Sequence, residues 1–138
     1  MPQLFESFVA EWIKTNAPPG LAARTQHKAR LDASARLTFR IDIVLKSKKS
    51  GETLAVLDTK YKAGERPLES DIQQVVAYAV EMGTDRAFLI YPSQNHLPIR
   101  ATVGHISVES IVFDLGKDYD KEGPRFLRDL ITRLALKE

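Results

Sequence analysis

The stretch LAVLDTKYK, residues 54–62, decides the fold prediction, because an apolar strand in it ends in charged residues. Four aliphatic residues precede Asp58, and Lys60 follows two positions later. Two residues along a strand rise about 6.6 Å and return to the same face, so the carboxylate of Asp58 and the ammonium of Lys60 point the same way. This strand therefore carries an acid and a base on one face, where its apolar run stops.

The preceding stretch LTFRIDIVL, residues 37–45, predicts the partner strand of a hairpin. Its alternation places Arg40 and Asp42 on one face. The other face receives the apolar residues Leu37, Phe39, Ile41, Ile43 and Leu45. With the polar turn centred near Ser50, opposed positions sum to about 100, which sets Asp42 against Asp58. A slip of one residue in this register would separate the two aspartates.

The repulsion between the opposed aspartates has to be balanced by positive charge, since like charges that face each other across a sheet destabilise it. A divalent cation held between the two carboxylates is the simplest source of that charge. The structural alternative is an ordinary salt bridge, either between Asp42 and its neighbour Arg40 or between Asp58 and Lys60. The hairpin alone leaves both interpretations open.

The rest of the chain predicts a single domain of mixed α/β class over residues 1–138. Helical spacing of apolar residues predicts helices at 2–16, at 70–82 with Gly83 ending the helix, and from Pro124 onward. Further strands are predicted from Thr25, at 54–61, at 86–92 as a central strand, around 99–103 and at 106–113. The expected architecture is a mixed β-sheet flanked by helices.

Composition narrows the functional classes. The chain has no cysteine, which excludes disulfides and thiolate metal sites and is compatible with a cytoplasmic location. Glu6, Glu11 and Lys14 interrupt the N-terminal apolar stretch, so neither a signal peptide nor a membrane span is expected there. The three histidines show no metal-ligand spacing, and there is no phosphate-binding glycine loop for nucleotide hydrolysis.

Basic residues concentrate in one segment. Residues 24–49 carry a net charge of +6, although the whole chain carries only +2. A basic lobe on an otherwise acidic body is typical of a surface that faces phosphates. A solvated hairpin with soluble edges explains the same charges.

Three residues outside the hairpin add to the pattern. Glu6 borders the apolar stripe of the first helix, where an unpaired carboxylate would be costly. Gln74 and Tyr78 lie at i and i+4 on the second helix, and we expect them on the side away from its apolar residues Ile72, Val75 and Ala79. Without a site nearby, that side is simply the solvent-facing side of the helix.

Together these segments resemble the PD-(D/E)XK nuclease superfamily, and more narrowly the nuclease domain of McrC subunits of McrBC-type modification-dependent restriction systems. The resemblance runs from Leu4 to about Pro92. It rests on LFESFV in the first helix, the basic RTQHKARLD, RIDIVL, LAVLDTKYK, DIQQVVAYA and the FLIYP strand. The implied fold is a restriction-endonuclease-like core.

The resemblance implies roles for individual residues. Asp42 matches the Asp of the PD element, Asp58 the (D/E) position and Lys60 the lysine, while Glu6 matches the acid of the first helix. With the backbone carbonyl of Thr59, the three acids would hold the metal. One departure is that an isoleucine stands where the motif has its proline, and this residue is not a ligand.

The resemblance also implies which residues surround the site and which partners the chain has. Gln74 and Tyr78 match a Q-x-x-x-Y pair that borders it. The basic residues would contact the DNA backbone: Arg24, Lys28, Arg30, Arg40, Lys46, Lys48, Lys49 and Lys62. McrC subunits normally carry an N-terminal portion that engages an AAA+ GTPase partner of McrB type, and nothing precedes Met1 here. The chain is thus expected to be an isolated domain or a small stand-alone relative.

The implied activity is Mg²⁺-dependent hydrolysis of double-stranded DNA, with Mn²⁺ as a substitute ion. Two alternatives remain: a non-catalytic DNA-binding or assembly module on the same fold, and a structure-specific nuclease such as a junction resolvase. Homodimer formation, the target sequence and dependence on methylation stay open. No membrane partner is expected.

Overall fold

The computed structural model describes residues 2–30, 38–59, 69–92, 100–114 and 119–135, which form a six-stranded mixed sheet with helices on both faces. The elements in chain order are α1 (Pro2–Asn16), β1 (Leu21–Arg30), β2 (Thr38–Ser47), β3 (Thr53–Thr59), α2 (Glu69–Met82), β4 (Arg86–Tyr91), β5 (Arg100–Val103), β6 (Ile106–Val112) and α3 (Tyr119–Ala135). The predicted α/β class is confirmed, and the arrangement is consistent with a restriction-endonuclease-like fold. None of the described helices is long and apolar enough to cross a membrane.

The sheet has the order β1-β2-β3-β4-β6-β5. Antiparallel pairing joins β1 to β2 and β2 to β3, whereas β4 lies parallel to both β3 and β6. The parallel step from β3 to β4 needs a crossover, and α2 provides it. All six residues of β4 are buried, which confirms the prediction of a central strand.

The register of β2 and β3 is the one predicted from the sequence. Ile43 pairs with Leu57, so the next opposed positions are Asp42 and Asp58. Closer to the turn, the register shifts between Leu45 and Lys46, and Leu54 is left as an extra residue in β3. The hydroxyl of Thr84 donates a hydrogen bond of 2.9 Å to the carbonyl of Leu54, which supports the irregular position.

Two buried clusters cover the two faces of the sheet. The α1–α3 cluster includes Phe5 and Val9 of α1 and Leu130 of α3, packed on alternate residues of the central strands. The α2 cluster includes Val75 and Ala79. Apolar side chains on both faces make this a three-layer sandwich.

The predicted one-face alternation of residues 37–45 is wrong at Ile41. Ile43 and Leu45 join the α1–α3 cluster, but Ile41 belongs to the α2 cluster. Among the described residues, the pairing of β2 with β3 ends at Ile43 and β2 continues paired with β1, so this part of β2 can twist away from the rest of the sheet. Leu37 lies outside the described residues.

The predicted start of the last helix is also wrong. Helix α3 begins at Tyr119, and Pro124 lies inside it rather than at its first position. Its first turns are fixed by contacts with the end of β6. Glu122 accepts a 2.7 Å hydrogen bond from the amide of Asp114, and Arg125 donates one of 2.7 Å to the carbonyl of Val112. These charge-assisted bonds favour the helix upstream of the proline.

Gly123→Ala tests the packing of α3 against α1. A Cβ at Gly123 would lie 2.7 Å from Cε2 of Trp12, whose ring packs edge-on against Phe113 and Phe126. We expect the substitution to lower the free energy of unfolding by about 1–3 kcal/mol, because overpacking outweighs the roughly 1 kcal/mol gain in helix propensity. Urea unfolding measures the change. In the Trp12→Phe background the same substitution should cost less, and an equal cost would contradict the proposed contact.

Candidate active site

Asp42 and Asp58 form a buried carboxylate pair where the pairing of β2 and β3 ends. Asp42 is 8% exposed and Asp58 is 5% exposed, and their side chains lie within hydrogen-bonding reach of each other. Asp58 follows the buried apolar residues 55–57 and Asp42 precedes the buried apolar residues 43–45, and these segments anchor the two acids in the sheet. Two acids that are buried and adjacent cannot both ionise without cost.

Thr59 fixes the orientation of Asp42. Its amide donates a hydrogen bond of 3.0 Å to Oδ2 of Asp42, and its hydroxyl donates another of 2.9 Å to the same oxygen. One carboxylate oxygen is therefore committed to positioning. The residue between the predicted acid and lysine thus contributes its donors, a role that sequence reasoning missed when it considered only the carbonyl.

The pKa of Asp42 is raised from its ordinary value of 3.8 to about 7, with burial as the largest cause. The charge of Asp58 and the hydrogen bond between the two side chains contribute to this rise, while the two Thr59 donors oppose it. The raising effects win, so near neutral pH the pair tends to hold a proton between its oxygens. A cation at this position would remove the need for that proton.

Tyr78 lies beside this pair, but the expectation that it lies on the side of α2 away from the apolar residues is wrong. It is 5% exposed, and burial together with the charges of Asp58 and Asp42 raises its pKa to about 12. The helical geometry explains the error: Tyr78 is three residues after Val75 and adjacent to Ala79, so it falls within the apolar arc. Gln74 is exposed, as expected.

Tyr91 and Asp71 extend the same neighbourhood, and the sequence reasoning did not identify them. Tyr91 is buried at the end of β4, and burial and the charges of Asp71 and Asp58 raise its pKa. A signal existed, because β3 and β4 run in parallel and their carboxyl ends lie at the same edge of the sheet.

Glu6 is not brought to the carboxylate pair. Both aspartates lie beside Tyr78, which belongs to the α2 cluster, whereas α1 packs on the opposite face of the sheet. No group of three or more His, Cys, Asp or Glu residues that could hold a metal occurs in the described part of the chain. The acids that the structure assembles are therefore Asp42 and Asp58.

The predicted DNA-binding residues lie at both ends of the paired strands β1 and β2. Lys28 pairs with Arg40 two positions beyond Asp42, about 7 Å along the strand, and Arg30 lies further in that direction. Lys48 lies in the turn at the other end, six positions from Asp42 or about 20 Å. The structure thus divides the basic residues between the strand ends beyond the carboxylates and the side of the carboxylates that leads to the turn.

The turn-side group comprises Arg24, Lys46, Lys48 and Lys49, of which Lys48 and Lys49 lie furthest from the pair. Arg24 pairs with Val44 on the turn side of Asp42, and Lys48 and Lys49 are exposed in the turn. Lys60, which is predicted as a catalytic residue, and Lys62, which is predicted to bind DNA, lie outside the described residues.

The raised pKa of Asp42 predicts a pH-dependent stability. A carboxyl with a raised folded-state pKa contributes stability that is complete below pH 3.8 and is lost as the pH rises through about 7. In metal-free buffer, we expect the wild type to lose stability on the order of a few kcal/mol more than Asp42→Asn between pH 4 and pH 8. Urea unfolding at stepped pH measures this, with Glu81→Gln as the exposed control. Parallel profiles for wild type and Asp42→Asn would contradict it.

Comparison with known proteins identifies the family. The family model described as "McrBC 5-methylcytosine restriction system component" matches residues 1–92, which contain Asp42, Asp58 and the elements from α1 to β4. No curated protein matches the chain. The match spans 92 of the 138 residues. The chain therefore belongs to the McrBC 5-methylcytosine restriction system component family, and its role is in DNA restriction.

Proposed function

We propose that the chain is the DNA-cleaving module of a McrBC-like restriction system, a Mg²⁺-dependent endonuclease that acts on double-stranded DNA. The observation that carries the proposal is the buried pair of Asp42 and Asp58, held in register by two paired strands. A restriction component has to engage DNA, and a pair of carboxylates at the edge of a sheet suits phosphodiester chemistry.

The residues present fit a hard divalent cation. Mg²⁺ is bound in proteins by one or two carboxylates together with substrate phosphate and water. Asp42 and Asp58 would provide the carboxylates and Thr59 its carbonyl, while the amide and hydroxyl of Thr59 keep Asp42 aligned. The bound ion supplies a water of lowered pKa and neutralises charge on the scissile phosphate.

Lys60 is proposed to stabilise the charge that develops on the phosphate. It stands two positions after Asp58 in the sequence. A charged ammonium suits electrostatic stabilisation better than proton abstraction. Tyr78 borders the pair from α2 and excludes water from one side of it.

DNA is proposed to approach the end of the sheet that carries the aspartates. Lys28, Arg30 and Arg40 lie on the strand ends closest to the pair, and contacts from such residues to phosphates are independent of sequence. Family membership implies partnership with other restriction components. We propose an AAA+ GTPase of McrB type as the partner, because the sequence has no nucleotide-binding loop of its own.

Asp58→Asn tests the site directly. We expect loss of Mg²⁺-dependent cleavage of linear duplex DNA by about 10³-fold or more, and a similar loss for Lys60→Ala. Asp58→Asn should also abolish Mn²⁺ binding in calorimetric titration, whereas Glu81→Gln should match the wild type in both measurements. Full activity of Asp58→Asn would overturn the site. Absence of both cleavage and Mn²⁺ binding in the wild type would favour the non-catalytic module, and a preference for branched DNA would favour a junction resolvase.

Glu6→Gln separates the sequence expectation from the geometry. Because α1 packs on the other face of the sheet, we expect Glu6→Gln to bind Mn²⁺ with an affinity within about threefold of the wild type. A loss equal to that of Asp58→Asn would show that Glu6 reaches the metal.

The division of the basic residues predicts unequal effects on DNA binding. Lys28→Gln with Arg40→Gln should weaken duplex binding and reduce the salt slope by about two, whereas Lys48→Gln with Lys49→Gln should change either quantity little. Both double variants remove the same charge, so each serves as the control for the other. Fluorescence anisotropy at stepped salt concentrations measures the affinities. Equal effects would contradict the proposed approach of DNA.

A further inference from the structure

A cavity of about 400 Å³ lies between the sheet and α3, away from the carboxylate pair. Residues of β4, β5, β6 and α3 line it, among them Arg86, Arg100, Arg133, His105 and Glu109. The cavity lies on the α1–α3 face of the sheet, since Arg86 is two residues before Phe88 on β4 and therefore points to the same face as this member of the α1–α3 cluster. The cavity is therefore separated from Asp42 and Asp58 by the sheet itself, and the nuclease proposal does not use it.

Three arginines converge on one buried carboxylate in this cavity. Glu109 is 8% exposed, and its Oε1 lies 3.1 Å from Nη1 of Arg133. Ion pairs of 3.8 Å connect Glu109 to Arg86 and to Arg100. Glu109 thus faces three guanidinium groups, of which Arg133 is also paired with Asp129, and Asp85 is the second carboxylate that lines the cavity.

Arg133 has structural partners. It donates hydrogen bonds of 2.9 Å to Asp129 on its own helix and of 2.7 Å to the carbonyl of Ser110 on β6. These contacts hold α3 against the sheet. The fixed geometry of Arg133 also keeps Glu109 in place within the cavity.

Arg86 and Arg100 are held much less tightly. The side chain of Arg86 is only 9% exposed, yet its guanidinium makes, among the described residues, a single contact, the 3.8 Å ion pair. Arg100 is 78% exposed at the rim, and its guanidinium contact there is also 3.8 Å long. Charge-assisted hydrogen bonds of arginine are typically about 2.7–2.9 Å. Both groups therefore keep donors available for a further anion, and burying Arg86 without stronger partners is costly unless an anion binds.

We propose that this cavity binds a terminal phosphate group, either inorganic phosphate or the phosphate of a small phosphomonoester. Guanidinium forks bind phosphate oxygens in bidentate fashion, and a terminal phosphate offers three of them. A volume of about 400 Å³ is in the range of small-ligand sites. A terminal phosphate can enter such a concave site, whereas a phosphodiester within a duplex is held at the surface of the helix.

Calorimetric titration of the full chain in metal-free buffer tests the proposal, with inorganic phosphate and AMP as separate probes and adenosine as the control. We expect binding of at least one phosphate probe at constant ionic strength. Arg100→Gln should weaken it about tenfold, as expected for loss of one charge-assisted contact. Arg128→Gln removes an equal charge from an exposed position of α3 outside the cavity and should leave the affinity unchanged.

Each outcome decides the proposal. Tighter binding of AMP identifies a phosphomonoester as the ligand, and tighter or equal binding of phosphate identifies the free ion. Equal losses in Arg100→Gln and Arg128→Gln, binding of adenosine, or absence of phosphate binding at about 10 mM would overturn it. Asp58→Asn should bind the phosphate probe like the wild type, so failure of the nuclease proposal leaves this result unaffected.

Discussion

The structure depends on the register between β2 and β3, which opposes Asp42 and Asp58 in a setting that excludes most water. Apolar pairing of Ile43 with Leu57 and of Val44 with Val56 holds this register against the repulsion of the two acids. Buried apolar area contributes roughly 25 cal/mol per Å², so a few such residues outweigh the cost of one strained carboxylate pair. The core thus stabilises a local arrangement that is unfavourable by itself.

The carboxylate pair couples the stability of the fold to its own state of protonation. Without a cation, a proton shared by the carboxyls relieves their repulsion, and the pKa of Asp42 reflects this. A ligand that binds only the folded state stabilises it more the tighter it binds, so the divalent ion proposed for this site would compete with the proton and would add to the stability of the fold. Because the empty carboxylate pair lowers the stability of the fold, a cation that fits the pair would raise that stability.

The sequence predicted the sheet well because alternation, turn residues and burial acted in the same direction. The register of the hairpin and the buried β4 followed from local patterns. The burial of Tyr78 was missed because the second helix was divided too sharply into an apolar and a polar side. The distance of Glu6 from the pair could not be predicted, since it depends on which face α1 covers, a tertiary choice that its own amphipathic pattern does not encode.

Leu54, the extra residue in β3, has a consequence for how such a site can arise. Nearer the turn Lys46 pairs with Thr53, and if that pairing continued unshifted, Asp42 would oppose Leu57 and the two aspartates would point to opposite faces of the sheet. The extra residue Leu54, whose carbonyl accepts a hydrogen bond from Thr84, shifts the register by one position and so puts the two aspartates on the same face. The geometry of the carboxylate pair thus depends on an irregularity four positions away, and a perfectly regular hairpin with the same acids would not bring them together.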